Sequence, residues 1–551
     1  MMENLNTEAS IKASAKVTEK ATEKNKSFYI TTPLYYPSGK WHLGHSYTTV
    51  CCDALARYRR LAGDKVFYLT GTDEHGQKIA ESAEKAGTTP QKYVDGLVGE
   101  IKELWALLDI KYDKFIRTTD DYHIKSVQKI FKTLYDKGDI YKSAYSGKYC
   151  TPCEAFWTGS QLKDGSCPDC GRAVKDSEEE CYFFRLSKFA DKLEELLLKT
   201  DFLQPSHRAK EMYNNFIKPG LSDLAVSRTS VKWGVPVDFD NNHTVYVWID
   251  ALSNYINGLG YNGDNLNMDL WRGREDKGGE VVHMVGKEIV RFHTIIWPAL
   301  LMALDLPVPK TVYGHGWLLL EGDKMSKSKG NVADPFVLVN RYGVDAVRYY
   351  LLAEIPFGAD GVYSDEAFLT KLNADLVNSL GNLVKRTLAM TNQYFGGKAE
   401  LKTQSESAKQ AGASPVANEI IEFIDLLGAK VDAQIKALSC SGALAEIFNV
   451  ISRANKYIDE TAPWVLNKEG KTERLEEVLY NLLEAIRVCA TFLLPFIPRG
   501  AEKIFEGLGL PVPGDFKKAK YGAVKKYKVG KDEILYARLD VKKELAALSG
   551  E

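Results

Sequence analysis

A chain of 551 residues is too long for one hydrophobic core, so about three or four domains are expected. Its 45% apolar and 26% charged residues are the proportions of an ordinary soluble globular protein. The net charge of -1 excludes a uniformly basic or acidic chain, yet it leaves room for a local basic face that binds RNA. The first 26 residues, rich in Lys, Glu, Ala and Thr, bury too little apolar surface to order themselves. They lack the apolar stretch of a secretion signal and carry acidic residues unlike a transit peptide, so a cytoplasmic location is expected. The run from Leu475 to Ile497 contains Glu476, Glu477, Glu484 and Arg487 and reads as a buried helix, not a membrane span.

Phe28-Tyr29-Ile30 reads as a buried strand leading into Pro33, Pro37 and Gly39. A helix follows from about His42, with Leu43, Tyr47, Val50, Ala54, Leu55 and Tyr58 on its apolar side and Gly63 closing it. Val66 to Leu69 is a second strand, ending at Gly71-Thr72-Asp73-Glu74-His75-Gly76. Strand, helix, strand implies a βαβ unit in a parallel sheet, where ligands bind beyond the carboxyl ends of the strands. The loops carrying His42, His45 and Asp73 lie at those ends. From about residue 118 an insertion begins. Strand signals resume at Val245-Tyr246-Val247-Trp248, Val281 to Val285 and Thr311 to Tyr313, as the second half of the same sheet.

Beyond about residue 375 strand signals disappear and helix-period patterns continue to about residue 510. One of them places Leu376, Leu380, Leu383, Val384 and Leu388 on one face, with Asn378, Asn382 and Arg386 opposite. The tail after Pro513 is lysine-rich with interleaved tyrosines. Its lysines from Lys517 to Lys531 either track phosphate or form a solvated linker.

Nine cysteines are present, and four form Cys150-x2-Cys153 and Cys167-x2-Cys170, with Gly159 and Gly165 between the pairs. This is the spacing of four-thiolate zinc knuckles, and four thiolates leave no open position for catalysis. A structural zinc in the insertion is expected; redox dithiols or incidental surface thiols are the alternatives. Cys51, Cys52, Cys181, Cys440 and Cys489 are expected as small buried residues, not disulfide partners.

His42-Leu43-Gly44-His45 and Lys324-Met325-Ser326-Lys327-Ser328 each hold two like side chains at i and i+3, so each pair can face one ligand. Imidazoles at a helix mouth and ammoniums on a loop flanked by Gly322 and Gly330 suit a triphosphate gripped from two sides. Gly44 lets a nucleotide approach the backbone closely. Read alone, a His-x-x-His pair is more often structural and a lysine run is more often a solvated loop.

The two motifs resemble the HIGH and KMSKS signatures of class I aminoacyl-tRNA synthetases, with Leu43 in place of isoleucine. The residues between them resemble the methionyl-tRNA synthetase family, from about Ser27 through the helical C-terminal part. The resemblance implies an α/β fold: a Rossmann-type parallel-sheet catalytic domain with a zinc-knuckle insertion, followed by an all-α anticodon-binding helix bundle. The expected parts are an extension (1–26), catalytic halves (27–117 and 244–320), a connective insertion (118–243), the KMSKS loop and linking domain (321–375), the bundle (376–512) and a C-terminal extension (513–551).

The implied reaction activates L-methionine with ATP and Mg²⁺ to methionyl-adenylate and pyrophosphate, then transfers methionine to the 3′ end of tRNA(Met). Catalysis falls to His42, His45, Lys324 and Lys327. Gly44, Gly286 and Lys287 join them in binding ATP. The implied methionine pocket is Leu34, Tyr36, Asp73, Trp248, Ala251, Tyr255, Phe292, His293 and Trp297, with an acid for the ammonium and aromatics for the thioether. Asn382 and Arg386 match positions that read anticodon bases, and Trp464 matches an aromatic on which a base stacks. Many family members carry a further C-terminal barrel that dimerises; here a monomer is expected. The rivals are a synthetase for another apolar amino acid, whose large editing domain has no room here, and a catalytically dead RNA-binding relative.

Overall fold

Ser27–Thr31 (β1) is buried at every residue, as a strand must be when it is flanked on both sides and covered on both faces. The structure, a computed structural model, describes residues 26–37, 40–150, 155–157, 162–168, 170–271, 279–320, 323–324, 333–355, 358–401 and 415–549. After β1 come the helix Leu43–Ala62 (α1) and the strands Lys65–Thr72 (β2) and Lys114–Arg117 (β3). The expected face of α1 is buried, and Gly63 closes the helix in the left-handed region at φ 97°.

The insertion carries an antiparallel pair, Ile140–Cys150 (β4) with Lys175–Phe184 (β6), and Ala155–Trp157 (β5) adds to β4. The chain returns to the main sheet at Leu203–Gln204 (β7), then forms Val247–Asn257 (α2), Gly279–Gly286 (β8) and Thr311–His315 (β9). The sheet order is β3-β2-β1-β8-β9-β7, parallel throughout. All six carboxyl ends therefore open on one edge. β7, only two residues long, lies within the stretch expected to be insertion.

Two expectations need correction. The run Val245-Tyr246-Val247-Trp248 is not a strand: only Thr244–Val245 pairs, with Ser227–Arg228, and α2 starts at Val247. Four consecutive apolar residues carry no period, whereas Ile249, Ala251, Leu252, Tyr255 and Ile256 continue a helical face that is buried. Strand structure also does not end near residue 375. Lys398–Glu400 pairs with Lys526–Lys528 antiparallel, burying Ala399 and Tyr527 between exposed charged residues.

The C-terminal part is a helix bundle built from Asn382–Phe395, Pro415–Lys436, Cys440–Thr461, Thr472–Leu493 and Pro498–Gly507. Leu376, Leu380, Leu383, Val384 and Leu388 are all buried, as their spacing requires. The helix Thr472–Leu493 is buried along most of its length, with Glu484 and Arg487 paired at 2.7 Å. Arg487 also donates to the carbonyls of Lys518 and Lys520, and the Tyr521 hydroxyl to Asn481, so the tail is a strap docked on the bundle. Among the described residues no helix is long and apolar enough to cross a membrane.

Arg348 joins the two halves. Its guanidinium is wholly buried, 2.7 Å from Asp53 on α1, and donates to the carbonyls of Pro495 and Phe496, each at 2.9 Å. Losing one partner of such a pair costs about 3–5 kcal/mol, because the other charge is stranded in a dry interior.

Candidate active site

His42 is the N-cap of α1, and its extended backbone (φ -142°, ψ 169°) turns its ring back over the first helical turn. Its Nδ1 accepts from the Gly44 N–H, and the Nδ1 of His45 accepts from the His42 N–H, each at 3.2 Å. The two rings lie 3.9 Å apart between centroids. A nitrogen that accepts from a backbone N–H holds no proton, so each neutral ring carries its proton on Nε2. The helix mouth thus presents two Nε2–H donors beside the positive end of the helix dipole. Gly44 has a nearer reason than nucleotide approach: a Cβ there would stand 3.0 Å from the His42 ring. Trp41 and Tyr35 back the His45 ring edge-on, at 5.1 and 5.7 Å.

The described chain stops at Lys324 and resumes at Ala333, and the resumption lies beside this mouth. Lys324 pairs through its backbone with Leu319, on a strand Leu318–Leu320 that follows β9. At the far end the Leu43 N–H donates to the Ala333 carbonyl at 3.2 Å. Lys327, Gly322, Gly330 and the Lys324 side chain lie outside the described residues. His315 at the end of β9 hydrogen-bonds the Thr48 hydroxyl at 2.7 Å, one turn beyond His45. Burial lowers the His315 pKa, which suits a neutral ring between Thr48 and the Gly316 carbonyl.

Gly286 ends β8, where a Cβ would meet the Glu288 carboxylate at 2.5 Å. Lys287 follows, held by both oxygens of Asp360 at 2.8 and 2.6 Å and lying 4.0 Å over the Trp317 ring. Burial tends to raise the Asp360 pKa, but the Lys287 hydrogen bond and the Trp317 N–H bring it below the usual carboxylate value.

Six expected pocket residues converge beside the end of β8. Trp248 stacks on Phe292 with centroids 3.6 Å apart and meets His293 edge-on at 6.4 Å. The Tyr255 hydroxyl donates to His293 Nε2 at 2.7 Å, and His293 Nδ1–H donates to the Ile289 carbonyl at 2.9 Å. Burial pushes the His293 pKa down to about 4, so the ring is neutral at physiological pH. Trp297 lies 5.8 Å from Tyr255, and Ala251 is buried on α2. The turn Phe292–Ile296 is π-helical, a local widening that recurs at functional sites. Leu34 packs on the same core as Trp248, Lys78 sits 5.4 Å over the Tyr36 ring, and the Asp73 N–H donates to the Tyr35 carbonyl at 3.0 Å.

Sequence reasoning missed His283, which stacks on Tyr255 at 4.1 Å and accepts from the Trp297 indole at 3.2 Å. It also missed a buried cluster of His75, Asp250 and His123. No spacing rule links positions so far apart; only the fold brings them together.

In the insertion, Cys150 ends β4, and turns at Gly165 and Gly171 bring Cys167 and Cys170 to it. Their sulfurs lie within 4.8 Å of one another, with Cys150 and Cys170 at 3.6 Å. Thiolates around zinc at about 2.3 Å stand about 3.8 Å apart, so the three fit that ion. Cys153 lies outside the described residues. Cys51, Cys52, Cys181, Cys440 and Cys489 are buried and free of disulfides.

On the bundle, Asn382 is exposed and Arg386 reaches Asp459 at 3.4 Å. A left-handed residue, Ala462 at φ 41°, turns the chain into a short helix whose Trp464 is 46% exposed. A large indole this accessible is available to stack on a flat ligand.

A parallel sheet with paired imidazoles at its carboxyl edge is the frame of a class I aminoacyl-tRNA synthetase. The family model described as tRNA synthetases class I (M) matches residues 28–181 and 171–388, and that for the anticodon binding domain of methionyl tRNA ligase matches 409–536. The chain belongs to this methionyl family of class I synthetases. The methionine–tRNA ligase of Clostridium acetobutylicum is 54% identical over 531 residues, covering 96% of this chain and 80% of the relative. That of Caldanaerobacter subterraneus subsp. tengcongensis is 55% identical over 527 residues, with coverage of 95% and 80%. Mycobacterium tuberculosis methionyl-tRNA synthetase in complex with methionyl-adenylate superposes with a TM-score of 0.87 at 36% identity, covering 93% of this chain and all of that one.

Proposed function

We propose that this chain is a methionine–tRNA ligase that works in two steps. In the first, the methionine carboxylate attacks the α-phosphorus of ATP, the bond to the bridging oxygen breaks, and pyrophosphate departs. The Nε2–H groups of His42 and His45 donate to the phosphates as charge moves onto them, and Lys324 and Lys327 neutralise the leaving pyrophosphate. Lys287 contacts the nucleotide once it leaves Asp360. Mg²⁺, when bound, would come in with the ATP phosphates and offset their charge, since that ion is usually held by substrate more than by a protein cage.

Asp73 receives the substrate ammonium. Leu34, Tyr36, Trp248, Ala251, Tyr255, Phe292, His293 and Trp297 surround its side chain with aromatic and polarisable surface. In the second step a ribose hydroxyl at the tRNA 3′ end attacks the methionyl carbonyl, and AMP leaves with the bonding electrons. Asn382 and Arg386 contact anticodon bases, and one base stacks on Trp464. Cys150, Cys153, Cys167 and Cys170 hold one zinc that stiffens the insertion. The parts of the chain act as 27–117 with 244–320 for activation, 118–243 for the insertion, 321–375 for the lysine loop and 376–512 for tRNA.

The observation that supports this reading most directly is the pair of imidazoles at the mouth of α1, on the carboxyl edge of the parallel sheet, beside the point where the chain resumes at Ala333. ATP–pyrophosphate exchange across a panel of amino acids tests it. Exchange with methionine above all others is expected; exchange driven by another amino acid, or none, overturns it.

A further inference from the structure

Asp250 is a carboxylate only 1% exposed, and the reaction as described gives it no task. Its two oxygens meet two histidines from separate elements: Oδ2 lies 2.6 Å from His75 Nδ1, and Oδ1 lies 2.7 Å from His123 Nε2. Burial alone would raise its pKa, and the two imidazoles bring it below the usual value. An ionised carboxylate with a donor on each oxygen holds both donors in short, charge-assisted bonds.

The two arms differ in what they reach. His75 sits two residues past Asp73 in the loop after β2, while Asp250 lies between Trp248 and Ala251 on α2. This arm therefore links the acid proposed for the substrate ammonium to the face proposed for its side chain. The other arm runs to His123 in the helix Asp121–Asp136, which carries none of the pocket residues; there Asn257 closes the contact at 3.1 Å.

The Asp73 loop is already stiff in itself. Arg117 grips both oxygens of Glu74 at 2.7 and 2.8 Å, and Thr119 adds a third bond at 2.6 Å. Trp233 brackets the loop, donating to the Glu74 carbonyl at 2.7 Å and accepting from the Gly76 N–H at 3.0 Å. A rigid loop moves as a unit, so the bond from His75 to Asp250 sets how far it stands from α2. For an amino acid held by its ammonium at one end and its side chain at the other, that separation decides which length fits. A displacement of about 1 Å at such a site costs on the order of 100-fold in rate.

We propose that Asp250 is a positioning residue which, through His75, fixes the distance between Asp73 and the Trp248–Ala251–Tyr255 face and so the side-chain length the pocket accepts. This rests on the methionine-activating reading above, and it is tested with whichever amino acid the wild-type chain activates, so the two stand or fall separately. In exchange assays, Asp250→Asn and His75→Gln raise KM for the amino acid by about tenfold or more and leave KM for ATP within about twofold. Both also narrow the preference for that amino acid over its analogue one methyl group shorter. His123→Gln breaks the arm that leads away from the pocket; it lowers the melting temperature and leaves KM for the amino acid within about twofold. If Asp250→Asn does not fold, the comparison of His75→Gln with His123→Gln decides alone. The proposal is overturned if His75→Gln only lowers the melting temperature, if His123→Gln moves the amino-acid KM equally, or if KM for ATP rises in step.

Discussion

The backbone N–H of Leu43 donates to the carbonyl of Ala333, so the chain leaving the lysine-rich segment is fastened one residue from His42. The chain that resumes at Ala333 is thereby held against the first turn of α1.

Lys327→Ala is informative for the first step. Losing one ammonium aimed at departing charge should lower kcat for pyrophosphate exchange by about 100-fold, while KM for methionine stays within about threefold. Comparable losses in both parameters would remove Lys327 from the proposed role.

Trp464 lies on the bundle, far along the chain from the sheet edge, with nearly half its surface open. Trp464→Ala should leave methionine-dependent exchange at the wild-type level. A stacked base contributes about 1–3 kcal/mol, so kcat/KM for tRNA should fall by roughly 5- to 150-fold. An equal decline in both assays would mark the indole as scaffold.

Metal analysis should find one zinc per chain, and Cys167→Ser should reduce that stoichiometry and speed proteolysis between residues 150 and 175. Among the described residues, Leu162 and Val174 alone pack against Cys150 and Cys167 in their cluster, so a bound ion would supply much of what holds this small segment. Undiminished zinc in both Cys167→Ser and Cys150→Ser would eliminate the thiolate site.

Stability should fall as pH drops below about 6.5. His293 is neutral in the fold with its pKa pushed down to about 4, so between those values the unfolded chain binds a proton that the folded chain refuses. That refusal amounts to about 2 kcal/mol between pH 7 and pH 5. His283, also driven well down by burial, acts in the same direction. Urea titrations at the two pH values should show a shallower loss for His293→Gln than for wild type; parallel losses would contradict the assignment.

Much of the molecule is legible in its sequence. The strand at Phe28-Tyr29-Ile30, the helix closed by Gly63 and the carboxyl-edge placement of His42 and Asp73 come from apolar period and turn chemistry, which are local. Val245 to Trp248 reads wrongly as a strand because four apolar residues carry no period; the helical face shows itself only from Ile249 to Ile256. Leu203–Gln204 is too short to carry a pattern and is a strand only because β9 offers it a partner. The tail does not read as a strap, because its lysines look solvated whether or not Tyr521 and Tyr527 are inserted. The family resemblance points to the pocket residues, but not to Asp250 between two distant histidines, which is a product of tertiary packing.

Arg348 has one more consequence. A guanidinium that answers a carboxylate on α1 and two carbonyls at the close of the long bundle helix makes any pivot at that seam expensive. The molecule is thus a ruler more than a pair of jaws: the span from helix mouth to exposed indole is set when the chain folds, and a polynucleotide must match it.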